Sequence, residues 1–168
     1  MQIADVRVLF DHLYWMRDRI VAAAETAPAA WLDPTPVTIR DLRATLVHEL
    51  DVEWSWRRRL DQPGPPRPFP PDDIELRPED FPTLGSLVQR WSVDEVAMRS
   101  WLAGLTDREV ASAWPLGESA GLPLWQHLMH IYTHGVLQFA DAAVLLTRAA
   151  ASPGELDFLD FVESTSAQ

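Results

Sequence analysis

Cysteine is absent from this 168-residue sequence. Its absence excludes disulfides, thiolate metal ligands and a cysteine nucleophile, and it fits a reducing compartment. Basic residues are also scarce, because 14 Lys and Arg stand against 25 Asp and Glu and leave a formal net charge of -11. Nucleic-acid backbones are bound by clustered cations, so we expect no nucleic-acid partner.

Long apolar runs are missing too. No uninterrupted apolar stretch approaches the roughly 18 residues that a membrane span needs, and the first residues lack a basic region followed by an apolar core. We therefore expect a cytoplasmic protein without a membrane partner. The length and the 47% hydrophobic fraction predict one domain over residues 1–168.

The sequence does contain a polar row within a long apolar segment, residues 122–148. Read as a helix at about 100° per residue, this segment aligns five polar residues on one face: His127, His130, His134, Gln138 and Asp141. Solvated helix faces normally carry Lys and Glu, whereas imidazole, amide and carboxylate groups bind metals or transfer protons. The row therefore indicates either a site or a solvated face of unusual composition.

Apolar residues recur at intervals of three and four in three earlier segments, which predicts helices over residues 4–25, 38–60 and 83–103. His12, at the edge of the first apolar stripe, is expected to be a packed or surface residue. Thr38 is predicted to be the N-cap of the second helix, with Asp41 as the capping-box acid. This helix surrounds His48 with small residues, which leave room for a ligand beside its ring.

Eight prolines between residues 61 and 82 exclude a helix there. We expect an extended crossover of about 20 residues between helices two and three, because loops of that length usually cross over or cover something. Residues 106–121 are predicted to hold a helical turn and a hairpin-like excursion, and residues 155–162 a short amphipathic tail. Four long helices without convincing strands predict an all-α four-helix bundle.

Three stretches resemble the DinB superfamily of DinB/YfiT-like metalloenzymes. Residues 9–15 (LFDHLYW) are similar to the family's opening helix. Residues 38–48 are similar to its second helix, and the similarity continues to the Glu-Trp-Ser-Trp of residues 53–56. Residues 123–135 (PLWQHLMHIYTHG) resemble the helix that carries its later metal ligands, and residues 153–160 fit its usual ending.

The resemblance implies a four-helix bundle that holds a divalent metal, Zn or Ni, between three histidines. His48 matches the first ligand and His134 the second, but Gln138 stands where the third histidine belongs and Phe139 where an arginine is usual. An amide oxygen is a weaker ligand for zinc or nickel than imidazole. A site shifted by one helical turn would use His130 instead.

Asp141 is a further ligand candidate, or an acceptor behind a ligand. Three outcomes stay open for this region: a weak or shifted metal site, a substrate pocket without metal, and an inert relic of such a site.

The family contains transferases that use low-molecular-weight thiols. The resemblance therefore implies a metal-dependent thiol S-transferase with a thiol and a small-molecule substrate. A metal-dependent hydrolase is one alternative, although its base would be Glu49, Glu53 or Asp141, and helix glutamates are usually solvated. A non-catalytic stress-response or small-molecule-binding bundle that has lost its metal is the other. Eight tryptophans, together with the family's habit, predict a homodimer.

Overall fold

The computed structural model describes residues 1–33, 37–61, 75–114 and 121–166. These residues form short 3-10 helices at Pro28–Leu32 and Pro78–Asp80, and six α-helices: α1 Ile3–Thr26, α2 Leu42–Leu60, α3 Leu84–Gly104, α4 Asp107–Ala111, α5 Leu124–Arg148 and α6 Phe158–Ser166. Within these ranges the one β-type pairing is an isolated bridge between Ala113 and Pro123. The prediction of an all-α protein is confirmed.

The four long helices pack as a bundle. α5 lies against both α1 and α2 over much of its length, and α3 packs against the same two helices from another side. The short helices attach to this frame, α4 against α5 and α6 against α1. α5, the helix with the polar row, therefore has its most extensive contacts with α1 and α2.

The core is built from the apolar stripes that the helical periodicity predicts. α1 buries its stripe at intervals of three and four: Val6, Phe10, Leu13, Met16, Ile20 and Ala24. The Trp91 ring on α3 and the Phe139 ring on α5 are 5.8 Å apart between centroids, and both side chains are almost fully buried. Phe139 occupies the position of the expected arginine, and its side chain completes the core between α5 and α3.

The predicted start of α2 was wrong by three residues. Asp41, in extended conformation, is the N-cap, and its carboxylate accepts a hydrogen bond of 2.8 Å from the backbone N–H of Ala44. The Thr38 hydroxyl instead donates to the carbonyl of Arg40. Both residue types are good N-caps, so the sequence alone did not separate them.

Pro153 and Gly154 in the sequence predict that the fourth long helix ends near Ala151, but α5 ends at Arg148, three residues earlier. Ala150 adopts the left-handed conformation (φ 59°), while the N–H groups of Ala150 and Ala151 bond to the carbonyls of Thr147 and Leu146. This is a Schellman-type ending that usually has glycine at the left-handed position. Because an alanine occupies that position, no glycine marks the end of this helix in the sequence.

The predicted crossover between helices two and three falls mainly on residues 62–74, which lie outside the described residues. Where the description resumes, the backbone N–H of Leu76 donates a 2.8 Å hydrogen bond to Asp51 on α2. The chain therefore lies beside the middle of α2 shortly before α3 begins. No helix within the described residues is long and apolar enough to cross a membrane.

Candidate functional site

Two histidines meet between α2 and α5. His48 and His134 present their Nε2 atoms to each other at 3.3 Å, with ring centroids 5.0 Å apart and the rings edge to face. Both side chains are half-buried. The pair forms because Leu42, Leu46 and Leu50 seat α2 in the core, which leaves His48 on the flank that faces α5.

Behind this pair lies a carboxylate that is completely buried. Glu49 Oε2 lies 2.7 Å from His134 Nδ1, and the Glu49 side chain has no solvent exposure. Each nitrogen of the His134 ring therefore contacts a different side chain of α2, Nδ1 contacting Glu49 and Nε2 contacting His48.

The surroundings of His48 and His134 lower the pKa of both imidazoles and so favour their neutral form. Burial, followed by the charges of His48, His130 and Arg40, lowers the pKa of His134 to about 4. Burial, followed by the charge of Arg40, also lowers the pKa of His48, against the opposing charges of Asp51 and Glu75. A neutral imidazole is the form that donates a lone pair to a metal.

The geometry of the histidine pair fits a bound cation. Two nitrogens bound tetrahedrally at about 2.0–2.1 Å from zinc lie about 3.3 Å from each other, and the Nε2 atoms of His48 and His134 have that separation. In protein without metal, the same distance lets one ring donate a hydrogen bond to the other.

Gln138 lies one helical turn beyond His134. Its Oε1 atom is buried and accepts no hydrogen bond from the described residues, which is a costly state for a carbonyl oxygen. The donor set of two imidazoles and one amide oxygen therefore fits a divalent cation held more weakly than by three imidazoles. Asp141 is half-buried one turn further along.

The other two histidines of the row surround a tryptophan of α2. His127 is buried and stacks on Trp56 at 5.9 Å between centroids, while the exposed His130 meets the edge of the same ring at 4.8 Å. The His130 centroid is 6.3 Å from that of His134. Among the described residues, His, Cys, Asp and Glu side chains form no group of three that could hold a metal, so the structure does not assemble a shifted triad of His48, His130 and His134.

His12 takes part in packing, in line with the expectation of a packed or surface residue. Its ring is buried, with Nε2 3.1 Å from the carbonyl of Leu156 and Nδ1 3.0 Å from the Tyr132 hydroxyl. A carbonyl only accepts, so Nε2 carries the proton and Nδ1 accepts from Tyr132. His12 thereby ties the segment before α6 to α1 and α5.

The expectation that the α2 glutamates are solvated was wrong, because Glu49 and Glu53 are both buried. Tyr14 and Trp91 donate to Glu53 at 2.5 and 3.1 Å, and burial raises the pKa of Glu53 and, more strongly, that of Glu49. The signal was present in the sequence, since residues 49 and 53 follow Leu46 at the helical spacing of the core face.

An open cleft of about 610 Å³ lies near the first turns of α1, α5 and α6. It is lined by Met1, Asp5, Val8, Leu9, Trp125 and Phe158. None of these residues belongs to the histidine pair, so the cleft and the candidate metal site are separate features.

The protein is thus an all-α bundle in which two helices bring two histidines together in front of a buried glutamate. The DinB family model matches residues 1–168, the whole chain, and the chain belongs to the DinB family. No curated protein matches the sequence.

Proposed function

We propose that the protein is a divalent-metal-dependent enzyme, with zinc or nickel as the metal and thiol S-transfer as its reaction type. The observation that carries the proposal is the convergence of the His48 and His134 Nε2 atoms at 3.3 Å. Gln138 supplies the third donor through its buried and otherwise unpaired Oε1. A bound divalent cation lowers the pKa of a coordinated thiol and so increases the thiolate available for attack.

The protein's own contribution is to hold neutral donors in place. Both imidazoles are half-buried and have lowered pKa values, so binding a cation at neutral pH requires no deprotonation of an imidazolium. The half-buried position restricts water around the pair while leaving part of the His134 side chain, 17%, open to solvent. A small thiol can approach along that open side.

Elemental analysis of untagged protein, before and after incubation with zinc and with nickel, tests the metal. We expect about one metal per chain, lost in His48→Ala and in His134→Ala. His130→Ala is the matched control, because His130 is exposed and lies against Trp56, and it should retain the metal. Absence of metal under every condition would overturn the proposal.

Loaded protein is then assayed for consumption of a low-molecular-weight thiol in the presence of a small alkylating electrophile. We expect turnover that needs the metal and disappears in His134→Ala. If the protein binds stoichiometric metal but consumes no thiol, S-transfer is overturned as the reaction, and the metal site serves another activity.

A second candidate function is a small-molecule-binding bundle of the stress-response kind without catalysis. The cleft of about 610 Å³ favours it, because this cleft is lined mainly by apolar side chains and is independent of the histidine pair. Under this hypothesis, His48→Ala leaves the melting temperature of the purified protein unchanged. A bound metal would make the same substitution lower the melting temperature, so one thermal scan separates the two functions.

A further inference from the structure

Two carboxylates lie one turn apart on the core face of α2, but their surroundings differ. Glu53 accepts hydrogen bonds from Tyr14 and Trp91, which satisfy both of its oxygens. Glu49 has its 2.7 Å contact with His134 Nδ1, and its Oε1 has no hydrogen-bond partner among the described residues. Burying a carboxyl group with so little compensation is costly, which indicates that Glu49 is retained for its effect on His134.

The backbone of α5 leaves space for this carboxylate. A Cβ atom at Gly135 would lie 2.5 Å from Glu49 Oε1 and 2.6 Å from Leu13 Cδ1. Glu49 and Leu13 are buried at 0% and 1% exposure, so neither side chain can move aside into solvent. Glycine is needed at position 135 for this close approach.

We propose that Glu49 is a positioning residue that fixes the His134 ring so that Nε2 faces His48, and that Gly135 provides the clearance this requires. The inference rests on the proposed function for its purpose, since a fixed ring matters most when Nε2 binds a cation. An imidazole ring rotates about its Cβ–Cγ bond, and this χ2 torsion is broad and roughly two-fold. A hydrogen-bond partner at Nδ1 selects one ring orientation and one tautomer, as carboxylates behind metal-binding histidines commonly do.

The test uses metal-free protein in chelator, with histidine rings labelled with ¹⁵N and observed by NMR. In the wild type we expect a single His134 tautomer and a low-field proton shared between Nδ1 and Glu49. Glu49→Met should lose that proton and give a mixture of His134 tautomers. Glu49→Gln should keep the ring orientation but no longer select one tautomer, because an amide of the same shape can either accept from Nδ1–H or donate to a bare Nδ1.

Gly135→Ala tests the same inference from the other helix. The added methyl group should displace Glu49 and give the His134 mixture seen in Glu49→Met. Gly104→Ala is its control, because a Cβ there meets nothing within 4 Å, and its His134 signals should match the wild type. Circular dichroism monitors the fold of each variant.

A second measurement connects the inference to the metal. Glu49→Met should raise the zinc dissociation constant about 10- to 100-fold, the usual effect of losing a residue that orients a metal ligand. A wild type that binds no zinc would refute the proposed function, while the NMR result would still decide the role of Glu49. Wild-type His134 signals in Glu49→Met, or no shared proton in the wild type, would overturn the inference.

Discussion

Gln138 is the residue at which the candidate site departs from the three-histidine pattern that the family resemblance implies. It stands at the position where the resemblance to the family implies a third histidine, and its buried Oε1 has no hydrogen-bond partner among the described residues. An amide oxygen is a neutral and weaker donor to zinc or nickel than imidazole. Replacing Gln138 therefore tests whether this position contributes a metal ligand.

We predict that Gln138→His tightens zinc and nickel binding by about 10- to 100-fold, the range over which residues around a metal change its affinity. The physical reason is the replacement of an amide oxygen by a third imidazole nitrogen. Isothermal titration with each metal measures the change. Leu137→His is the control, because it places an imidazole on the exposed side of the same helix and should leave the affinity unchanged. Equal affinities of Gln138→His and the wild type would show that position 138 does not reach the metal.

The N-cap of α2 gives a prediction about the stability that a single helix cap contributes. Asp41→Ala should lower the free energy of unfolding by about 1 kcal/mol, the typical cost of removing an N-cap side chain. The reason is that the Ala44 N–H loses the carboxylate to which it donates. Urea unfolding followed by circular dichroism provides the measurement.

Thr38→Ala is the matched control for the α2 cap, because Thr38 was the other N-cap candidate and bonds to the carbonyl of Arg40 instead. Thr38→Ala should lower the free energy of unfolding clearly less than Asp41→Ala does. A larger loss in Thr38→Ala would place the start of the helix where the sequence pattern suggested.

The attachment of α6 should depend on pH. Burial lowers the pKa of His12 below 6.5, although its hydrogen bond to Leu156 and the nearby charge of Asp157 oppose this shift. A group with a lowered folded-state pKa contributes its full stability above the unfolded value and loses it as the pH falls through the folded value. Protonated His12 also has no lone pair to accept the Tyr132 hydroxyl.

Urea unfolding of the wild type and of His12→Gln, from about pH 7.5 to about pH 5, measures this effect around the ordinary histidine pKa. The stability advantage of the wild type should shrink as the pH falls below 6.5, by at most about 1.4 kcal/mol per pH unit. A constant difference across this range would contradict the prediction. Amide exchange in α6 should accelerate in parallel with the loss of stability.

For the whole molecule, the predicted homodimer stays a prediction. Some exposed apolar side chains lie on α5, where Leu137 is 65% and Val144 49% exposed. A single exposed apolar residue is common on a protein surface, whereas several that form one patch indicate an interaction surface. Sedimentation equilibrium should give twice the 19.0 kDa chain mass, and a mass that stays at one chain at all concentrations would contradict the prediction.

The helices and the pair of histidines could be predicted from the amino-acid sequence. Periodicity placed the four long helices to within a few residues, because apolar stripes at helical spacing must be buried. The family resemblance selected His48 and His134 from five histidines, and the structure brings their rings together. The start of α2 and the end of α5 were less well predicted. Thr38 and Asp41 are both good N-caps for α2, and at the end of α5 an alanine occupies the left-handed position where glycine is usual.

The surroundings of the histidine pair could not be predicted, because they depend on how the helices pack. The burial of Glu49, its contact with His134 and the clearance at Gly135 depend on how closely α5 approaches α2 and α1. His130 and His134 belong to the same polar row, yet His130 lies against Trp56 while His134 faces His48. Helical spacing fixes which side chains share a face, but the packing of neighbouring helices fixes which of them meet.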